Sequence, residues 1–220
     1  MINHNLNQNG TLIHEEKFRG KALLQKMAEQ EFIICGVGAI GSNLVENMVR
    51  QGFKKFTVID FDRVDDHNRH TQAYSRRDIG QLKVNALKTK VYDLMGISIE
   101  AISSKLEAGN AKRLLKPGTI VVDGFDNPEG RKLVTDYCQA NKITCLHAGL
   151  YKDCAEVHWN VGYRVPDPVK GLDICEYPLA RNIILMAITV ATEVIIRYLD
   201  KGVMENYYIT LGDMKINLIV

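Results

Sequence analysis

The sequence predicts an α/β fold: a mostly parallel sheet with helices on both faces and an antiparallel C-terminal extension. From Glu31 onward, short apolar runs alternate with helical patterns, and Gly, Asn or Pro marks each switch, which is typical of a parallel sheet. The first run, 32–35, is apolar at successive positions, as expected of a strand covered by helices on both faces. After Gly149 the alternation gives way to strand-like stretches, which indicates the extension.

We interpret 1–220 as a single domain in three parts. The first part, 1–30, is a polar tail followed by a charged amphipathic helix, Glu15–Gln30. In 31–150 the predicted strands are Phe32–Cys35, Phe56–Asp60, Ile99–Ile102, Ile120–Asp123 and Thr144–His147. The predicted helices of that part are Ile40–Gln51, Gly80–Leu94, Ala111–Leu115 and Pro128–Asn141. In 151–220 we predict a β-rich stretch Glu156–Val161, a long apolar helix Pro178–Leu199, and closing strands Tyr207–Leu211 and Lys215–Ile219.

Length and charge argue against several classes of protein. A chain of 220 residues, 46% hydrophobic and 25% charged, has the composition of an ordinary globular domain. Its 28 basic and 26 acidic residues are spread along the chain, so a nucleic-acid partner is not indicated. The most apolar segment, Ile183–Thr192, is shorter than the about 20 residues that span a bilayer. With the polar start MINHNLNQNG, this favours a protein without a signal peptide or a membrane span.

The cysteines favour a cytoplasmic protein with free thiols. Five cysteines lie at positions 35, 138, 145, 154 and 175, an odd number with no C-x-x-C pair. Neither a disulfide framework nor a structural zinc site is supported by that spacing. We therefore expect no zinc and a reducing compartment.

A glycine loop follows the first predicted strand. Gly36-Val37-Gly38-Ala39-Ile40-Gly41 opens the next helix, which is the context expected of a dinucleotide-type phosphate site. Gly36 allows the tight turn, Gly38 lets phosphate approach the backbone, and Gly41 lets helix and strand pack closely. The helix N-terminus offers unpaired N–H groups to an anion, and Asp60, about 20 residues on, suits ribose hydroxyls. The loop alone leaves NAD, FAD, S-adenosylmethionine and ATP open.

Polar residues downstream favour ATP among these ligands. They follow the second and fourth strands: Asp60, Asp62, Asn68, Arg69, Gln72, Lys83, Asp126, Asn127 and Arg131. In open α/β sheets, ligands bind outside the carboxyl ends of the strands, where these groups fall. A lysine, arginines and an isolated aspartate beside a phosphate loop suit a triphosphate with Mg²⁺, because cations neutralise phosphate oxygens and a carboxylate holds the metal.

This order of motifs resembles a family. G-x-G-x-x-G, D-x-D, Asn…Gln, D-I-G-x-x-K and D-x-x-D-N-x-x-x-R together are similar to the ThiF/MoeB/HesA group, the bacterial relatives of ubiquitin-activating enzymes. The resemblance runs from about Glu15 to Gly149, with a looser match to the end. It implies a Rossmann-like homodimer that binds ATP and Mg²⁺. The implied reaction is adenylation of the C-terminal carboxylate of a small ubiquitin-like or sulfur-carrier protein or peptide, with release of pyrophosphate.

The resemblance also implies roles for individual residues. The nucleotide would be cradled by Gly36, Gly38, Ala39, Ile40 and Gly41. Further contacts to the ribose, nucleotide and phosphates would come from Asp60, Asp62, Asn68, Gln72, Lys83 and Asn127. Lys83, Asp126 and Arg69 would take part in catalysis, with Asp126 as the Mg²⁺ ligand.

Two departures from the family pattern are visible. Members usually read Asn-x-x-Arg-Gln, whereas Thr71 stands at the arginine position here and Arg69 lies two residues earlier. Either Arg69 reaches the phosphates or another cation replaces it. The C-x-x-C zinc pairs of many members are absent, in agreement with an expectation of no zinc.

Cys175 is the candidate nucleophilic thiol. It lies in a loop just before the long predicted helix, between Asp173 and Glu176. A helix N-terminus would lower the pKa of the thiol, and the two acids would raise it. We expect an enzyme that only adenylates and does not use this thiol, and a thioester or sulfur-accepting role stays the alternative.

Four functions compete. The first is adenylation of a ubiquitin-like or sulfur-carrier protein, and the second is adenylation of a short peptide or small carboxylate, favoured by the modest length. The third is a nucleotide-binding regulatory protein without turnover, which the displaced arginine makes conceivable. The fourth is an NAD-dependent oxidoreductase, which the polar cluster disfavours.

Overall fold

The computed structural model describes residues 11–166 and 178–219. In chain order the strands are β1 Glu31–Cys35, β2 Lys55–Ile59, β3 Glu100–Ile102, β4 Ile120–Asp123, β5 Thr144–Tyr151, β6 Cys154–Trp159, β7 Asn206–Thr210 and β8 Lys215–Ile219. The α-helices are α1 Ile13–Arg19, α2 Lys21–Glu29, α3 Ala39–Arg50, α4 Lys83–Met95, α5 Ala108–Leu114, α6 Pro128–Ala140 and α7 Arg181–Lys201. Two short 3₁₀ helices, Asp66–His70 and Arg76–Asp78, lie between β2 and α4.

One mixed sheet contains all eight described strands, in the order β3-β2-β1-β4-β5-β6-β7-β8. The pairs from β3 to β5 are parallel, and those from β5 to β8 are antiparallel. This confirms the predicted α/β architecture with its antiparallel C-terminal extension. Cys35 at the end of β1 pairs with both Ile59 and Asp123, so the carboxyl ends of β1, β2 and β4 lie level.

Helices cover both faces of the parallel part. Phe32 and Ile34 of β1 belong to a core shared with α2, α3, α4 and α7. Ile33 and Cys35 point the other way, into a second core with α5 and α6. The successive apolar positions of β1 are therefore explained by burial on both faces.

The predicted helices Ala111–Leu115 and Pro178–Leu199 begin three residues away from α5 and α7, and two other predicted helices differ for a structural reason. The single helix Glu15–Gln30 is wrong, because Gly20, with φ of 83° and ψ of 154°, separates α1 from α2. The helix predicted from Gly80 begins only at Lys83. The residues before it pair with the segment after β2, since the Gly80 amide donates to the Val64 carbonyl and Leu82 forms a bridge with Arg63.

The long helix α7 covers the antiparallel part of the sheet. By length and composition it is apolar enough to cross a membrane, yet most of its apolar residues are buried, against β5, β6, β7 and α3. Apolar side chains are also uncovered on the edge strand β8, where Ile216 and Leu218 are 53% and 51% exposed.

The contact of Gly41 with Gly36 gives a stability prediction. A Cβ at Gly41 would lie 2.0 Å from the Gly36 carbonyl oxygen, so the backbone has to move. We expect Gly41→Ala to lower the free energy of unfolding by about 3 kcal/mol or more, measured by urea denaturation. Gly109→Ala in α5 is the control, because nothing lies within 4 Å of its Cβ position, and we expect it to stabilise by about 0.5 kcal/mol. Equal stabilities of the two variants would contradict the packing argument.

Candidate active site

Backbone hydrogen bonds bring three segments to one edge of the sheet. The Gly36 amide donates to the Ile59 carbonyl (2.9 Å), and the Gly124 amide donates to the Cys35 carbonyl (2.9 Å). The glycine loop, the segment starting at Asp60 and the loop 124–127 therefore lie side by side at the carboxyl ends of β1, β2 and β4. This is the edge where ligands bind in open α/β sheets.

The glycine loop has the backbone geometry of a phosphate site. Gly36 has a φ of +85°, and a Cβ there would lie 3.0 Å from the Phe125 ring and 3.1 Å from the Gly124 oxygen. A Cβ at Gly38 would meet only the Gln72 amide nitrogen, at 3.9 Å, so the backbone is open at this point. Gly38 precedes α3 and has no side chain with which to cap it, which leaves first-turn N–H groups for an anion.

Asp60 is a buried acid that holds the glycine loop. Its carboxylate accepts hydrogen bonds from the amides of Val37 (2.9 Å) and Asp62 (2.8 Å). Burial nevertheless raises the pKa of Asp60 above its ordinary value, so two amide donors do not fully compensate the lost hydration. Further donors, such as ribose hydroxyls, would stabilise the carboxylate.

Lys83 is buried at the start of α4 and paired with Asp62. Its Nζ lies 3.0 Å from Asp62 Oδ2, and the lysine side chain is 9% exposed while the aspartate is half exposed. The Lys83 amide also donates to the Asp62 carbonyl. The D-x-D segment therefore positions a single ammonium group beside Asp60.

Gln72 and Asn68 have different environments. Gln72 Oε1 is buried and accepts no hydrogen bond from the described residues, and its amide lies over Gly38. It is thus free to accept from a ligand. Asn68 instead accepts from the Asp65 amide (2.9 Å), which fixes the first 3₁₀ helix. The Asn68 side chain therefore stabilises the 3₁₀ helix, whereas the Gln72 side chain lies beside the glycine loop.

Neither Arg69 nor Arg131 has a guanidinium group free to bind a phosphate in this structure. Arg69 is exposed and paired with Asp66, with Nη2 2.6 Å from Oδ1. Thr71, at the arginine position of the family pattern, is buried, and its carbonyl accepts from Asn43 (2.8 Å). Arg131 is held elsewhere, by the Ala148 carbonyl (2.7 Å) and the Tyr163 hydroxyl (3.1 Å).

The loop 124–127 carries one free carboxylate. Asp126 is exposed and has no hydrogen bond or ion pair with the rest of the described chain. Asn127 caps α6 by accepting from the Gly130 amide (2.7 Å), so its side-chain oxygen is already used. Cys175 lies outside the described residues.

Metal ligands in this part of the chain are few. No cluster of three or more His, Cys, Asp or Glu side chains able to hold a metal exists in 11–166 and 178–219. Mg²⁺ does not require one, because it is commonly held by one or two carboxylates together with substrate phosphates. The exposed, unpaired carboxylate of Asp126 beside the glycine loop fits that mode. Two clefts of about 420 and 460 Å³ lie at the opposite, amino edge of the sheet, away from these groups.

Tyr74 is a site residue that sequence reasoning missed. Its hydroxyl donates to the Val37 carbonyl (2.7 Å) and lies 3.3 Å from the Lys83 carbonyl, so it ties the glycine loop to α4. Burial raises the pKa of the Tyr74 hydroxyl, which keeps it a neutral donor. The sequence carries no signal for this contact, because it joins residues 37 positions apart.

Comparison with curated proteins points to one family and to varied members. The ThiF family profile matches residues 12–162. The sulfur carrier protein adenylyltransferase of Thermus thermophilus is 29% identical over 114 residues, covering 51% of this chain and 42% of that protein. The tRNA threonylcarbamoyladenosine dehydratase 2 of Saccharomyces cerevisiae is 32% identical over 123 residues, covering 53% of this chain and 27% of that protein. The chain thus spans less than half the length of these relatives.

Among solved structures, Escherichia coli MccB with MccA-N7isoASN has a TM-score of 0.81 at 17% identity, covering 98% of this chain and 72% of that chain. The same protein has been solved with ATP, with a TM-score of 0.79. At this identity the likeness shows the Rossmann-like fold alone. The family profile matches well over half of the chain and includes the glycine loop, Asp60, Lys83 and Asp126, and on this evidence the chain belongs to the ThiF family.

Proposed function

We propose that this chain is an adenylyltransferase that uses ATP to activate the C-terminal carboxylate of a small ubiquitin-like or sulfur-carrier protein, with release of pyrophosphate. The observation that carries the proposal is the edge where the glycine loop, the Asp62–Lys83 pair and the unpaired Asp126 carboxylate meet. Relatives named as adenylyltransferases support it. We further propose that 1–220 acts as one such domain, in the cytoplasm.

The roles proposed from the resemblance fit the local environments. The residues that would surround the nucleotide are Gly36, Gly38, Ala39, Ile40, Gly41, Asp60, Asp62, Gln72 and Lys83. Asn68 and Asn127 would act mainly by shaping the segments that carry their neighbours, because their side chains bind backbone amides. Arg69 would have to leave Asp66 to contact a phosphate, and it is exposed enough to do so.

The chemistry needs neutralised charge more than a base. A substrate carboxylate oxygen forms a bond to the α-phosphorus of ATP, and the bond from that phosphorus to the β-bridging oxygen breaks, so pyrophosphate leaves. The carboxylate is already ionised at neutral pH, so no proton has to be removed. Lys83 and the N-terminus of α3 would offset the phosphate charge that repels the incoming carboxylate. Asp126 would hold Mg²⁺, which when bound supplies further neutralisation of phosphate oxygens.

The substrate class has two candidates. MccB, which matches almost the whole chain in fold, has been solved with MccA-derived ligands and with N-formylated MccA. This likeness favours a peptide as the second candidate substrate. A nucleotide-binding regulatory protein without turnover is the remaining alternative.

We also propose a homodimer, and the apolar side chains of the closing strand β8 support it. Ile216 and Leu218 form an uncovered apolar pair on the edge strand of the sheet, and exposed apolar patches of this kind are common at subunit contacts.

The described cysteines are free thiols, which supports the proposed reducing compartment. They are Cys35, Cys138, Cys145 and Cys154.

Nucleotide binding depends on Lys83. We expect calorimetry to show that ATP with Mg²⁺ binds more tightly than NAD, and that Lys83→Gln weakens ATP binding at least tenfold, because a buried ammonium beside the phosphates is lost. Lys88→Gln is the matched control, since Lys88 is an exposed lysine on the same helix. Tighter binding of NAD than ATP, or an equal loss in both variants, would contradict the assignment.

Catalysis depends on Asp126. We expect Asp126→Asn to lower substrate-dependent ATP–pyrophosphate exchange at least a hundredfold while the protein stays folded, because an amide is a poor Mg²⁺ ligand. Glu129→Gln is the control, an exposed acid in the first turn of α6. Near-normal exchange by Asp126→Asn would remove this residue from the site.

The same assay separates the candidate functions. The probes are a small protein ending in Gly-Gly, a heptapeptide of its C-terminus, and that peptide with an amidated end. ATP–pyrophosphate exchange that occurs with the whole protein but not with the peptide supports activation of a carrier protein. Exchange with the free peptide supports activation of a peptide. The amidated peptide should give none, because it lacks the attacking carboxylate. ATP binding without any exchange would support the regulatory alternative.

Cys175 is tested by substitution. We expect Cys175→Ala to keep both pyrophosphate exchange and product transfer, because the attacking group is the substrate carboxylate and not a thiol. The measurement is a gel assay for a covalent adduct with the carrier protein, with and without reducing agent. An adduct that reducing agent cleaves, present in the wild type and missing in Cys175→Ala, would show that a thioester forms.

A further inference from the structure

A buried polar cluster lies at the carboxyl end of β4 and beside the middle of β5, next to the loop 124–127. We call it the Asp123 cluster, and it consists of Asp123, Arg131, His147, Asn160 and Tyr163. Asp123 and His147 are 0% and 1% exposed. The proposed adenylation uses none of these groups directly. Because burying ionisable groups is costly unless they are paired, the cluster calls for a role.

His147 lies between an oxygen of Asp123 and an oxygen of Asn160. Its Nδ1 is 2.9 Å from Asp123 Oδ2, and its Nε2 is 2.6 Å from Asn160 Oδ1 and 3.6 Å from Cys145 Sγ. The Asn160 amide is oriented by its Nδ2, which donates to the Thr135 carbonyl (3.2 Å). Both ring nitrogens are therefore engaged within the protein. Tyr163 stacks on the His147 ring, with ring centroids 3.9 Å apart and planes 10° from parallel, which fixes its tilt.

Asp123 passes this restraint to the loop that carries Asp126. While Oδ2 contacts His147, Oδ1 accepts from the Phe125 amide (3.1 Å). On the other side, the Gly124 amide donates to the Cys35 carbonyl, and the Phe125 ring closes against Gly36. The residue directly before Asp126 is thus held by a chain of hydrogen bonds that starts at Asn160 and runs through His147 and Asp123.

Arg131 secures the same carboxylate from α6. Its guanidinium donates to the Ala148 carbonyl and the Tyr163 hydroxyl, and its Nη1 lies 3.8 Å from Asp123 Oδ2. Asp123 therefore has the Arg131 cation on one side and the His147 ring on the other. These contacts favour the orientation in which the carboxylate accepts from the Phe125 amide.

We propose that His147 is a positioning residue: acting through Asp123, it holds the loop 124–127 against the glycine loop and so sets the place of the Asp126 carboxylate. The part of this inference that concerns metal use rests on the proposed function. The part that concerns the order of the loop does not.

The first test measures the loop itself. Hydrogen–deuterium exchange, read by mass spectrometry on peptides that cover 123–130, is compared in the wild type, His147→Gln and His158→Gln. His158 is the matched control, because it pairs with His147 across the sheet and does not contact Asp123. We expect exchange in 124–127 at least tenfold faster in His147→Gln and unchanged in the control. Equal exchange in all three proteins would overturn the proposal.

The second test measures metal use. In pyrophosphate exchange we expect His147→Gln to raise the Mg²⁺ concentration for half-maximal rate at least tenfold, with the affinity for metal-free ATP unchanged. An equal loss of ATP affinity would overturn a positioning role. If the wild type shows no exchange reaction with any substrate, the proposed function fails while the hydrogen-exchange result still decides the inference.

If the His147→Gln protein does not fold, a second pair of variants tests the same proposal. Asn160→Asp keeps an acceptor for His147 Nε2, and Asn160→Leu removes it. We expect loop exchange close to wild type in the first and faster in the second, and equal rates in the two would overturn the proposal.

Discussion

The parallel pairing of β1 with β2 on one side and β4 on the other determines where every candidate site residue lies. Cys35 is level with Ile59 and Asp123, so the three segments that follow leave the sheet at one edge. The contact of Gly41 with the Gly36 carbonyl then forces the chain to turn directly from β1 into α3. Any residue larger than glycine there would separate helix from strand, and the N-terminus of α3 would no longer face the residues after β2 and β4.

The site is preformed but not internally satisfied. Asp60 holds Val37 and Asp62 in place, and Tyr74 holds Val37 and α4, so hydrogen bonds within the protein fix the glycine loop. Yet burial raises the pKa of Asp60, and Gln72 Oε1 accepts no hydrogen bond from the described chain. A buried acid with two donors that do not restore its lost hydration, and an amide oxygen with none, are expected where hydroxyl or amino groups of a ligand complete the hydrogen bonding.

The sequence alone predicted the sheet, and it named residues that the fold brings to one edge of that sheet. Strands such as β4 were predicted to the residue, because burial on both faces leaves continuous apolar runs. The split at Gly20 was not predicted, since the amphipathic pattern continues across it. Tyr74 and the Asp123 cluster were also missed. Their hydrogen bonds join residues far apart in the chain, such as Asp123 with His147, and short-range patterns carry no information about such contacts. His147 lies in an apolar strand, and the residues next to it in the sequence give no sign of its polar contacts.

Asp123 and Asp126 belong to the same motif, three positions apart, but they lie in different environments. Asp123 is fully buried, and His147, Arg131 and the Phe125 amide use its oxygens. Its charge is therefore balanced within the protein and attracts little from outside. Asp126 follows on the exposed side of the same turn with no partner among the described residues, so its charge remains available to a cation. A mobile Asp126 would lose conformational entropy each time it bound a metal, which has a free-energy cost. In the arrangement that we propose, the buried acid fixes Phe125 and so removes part of that cost.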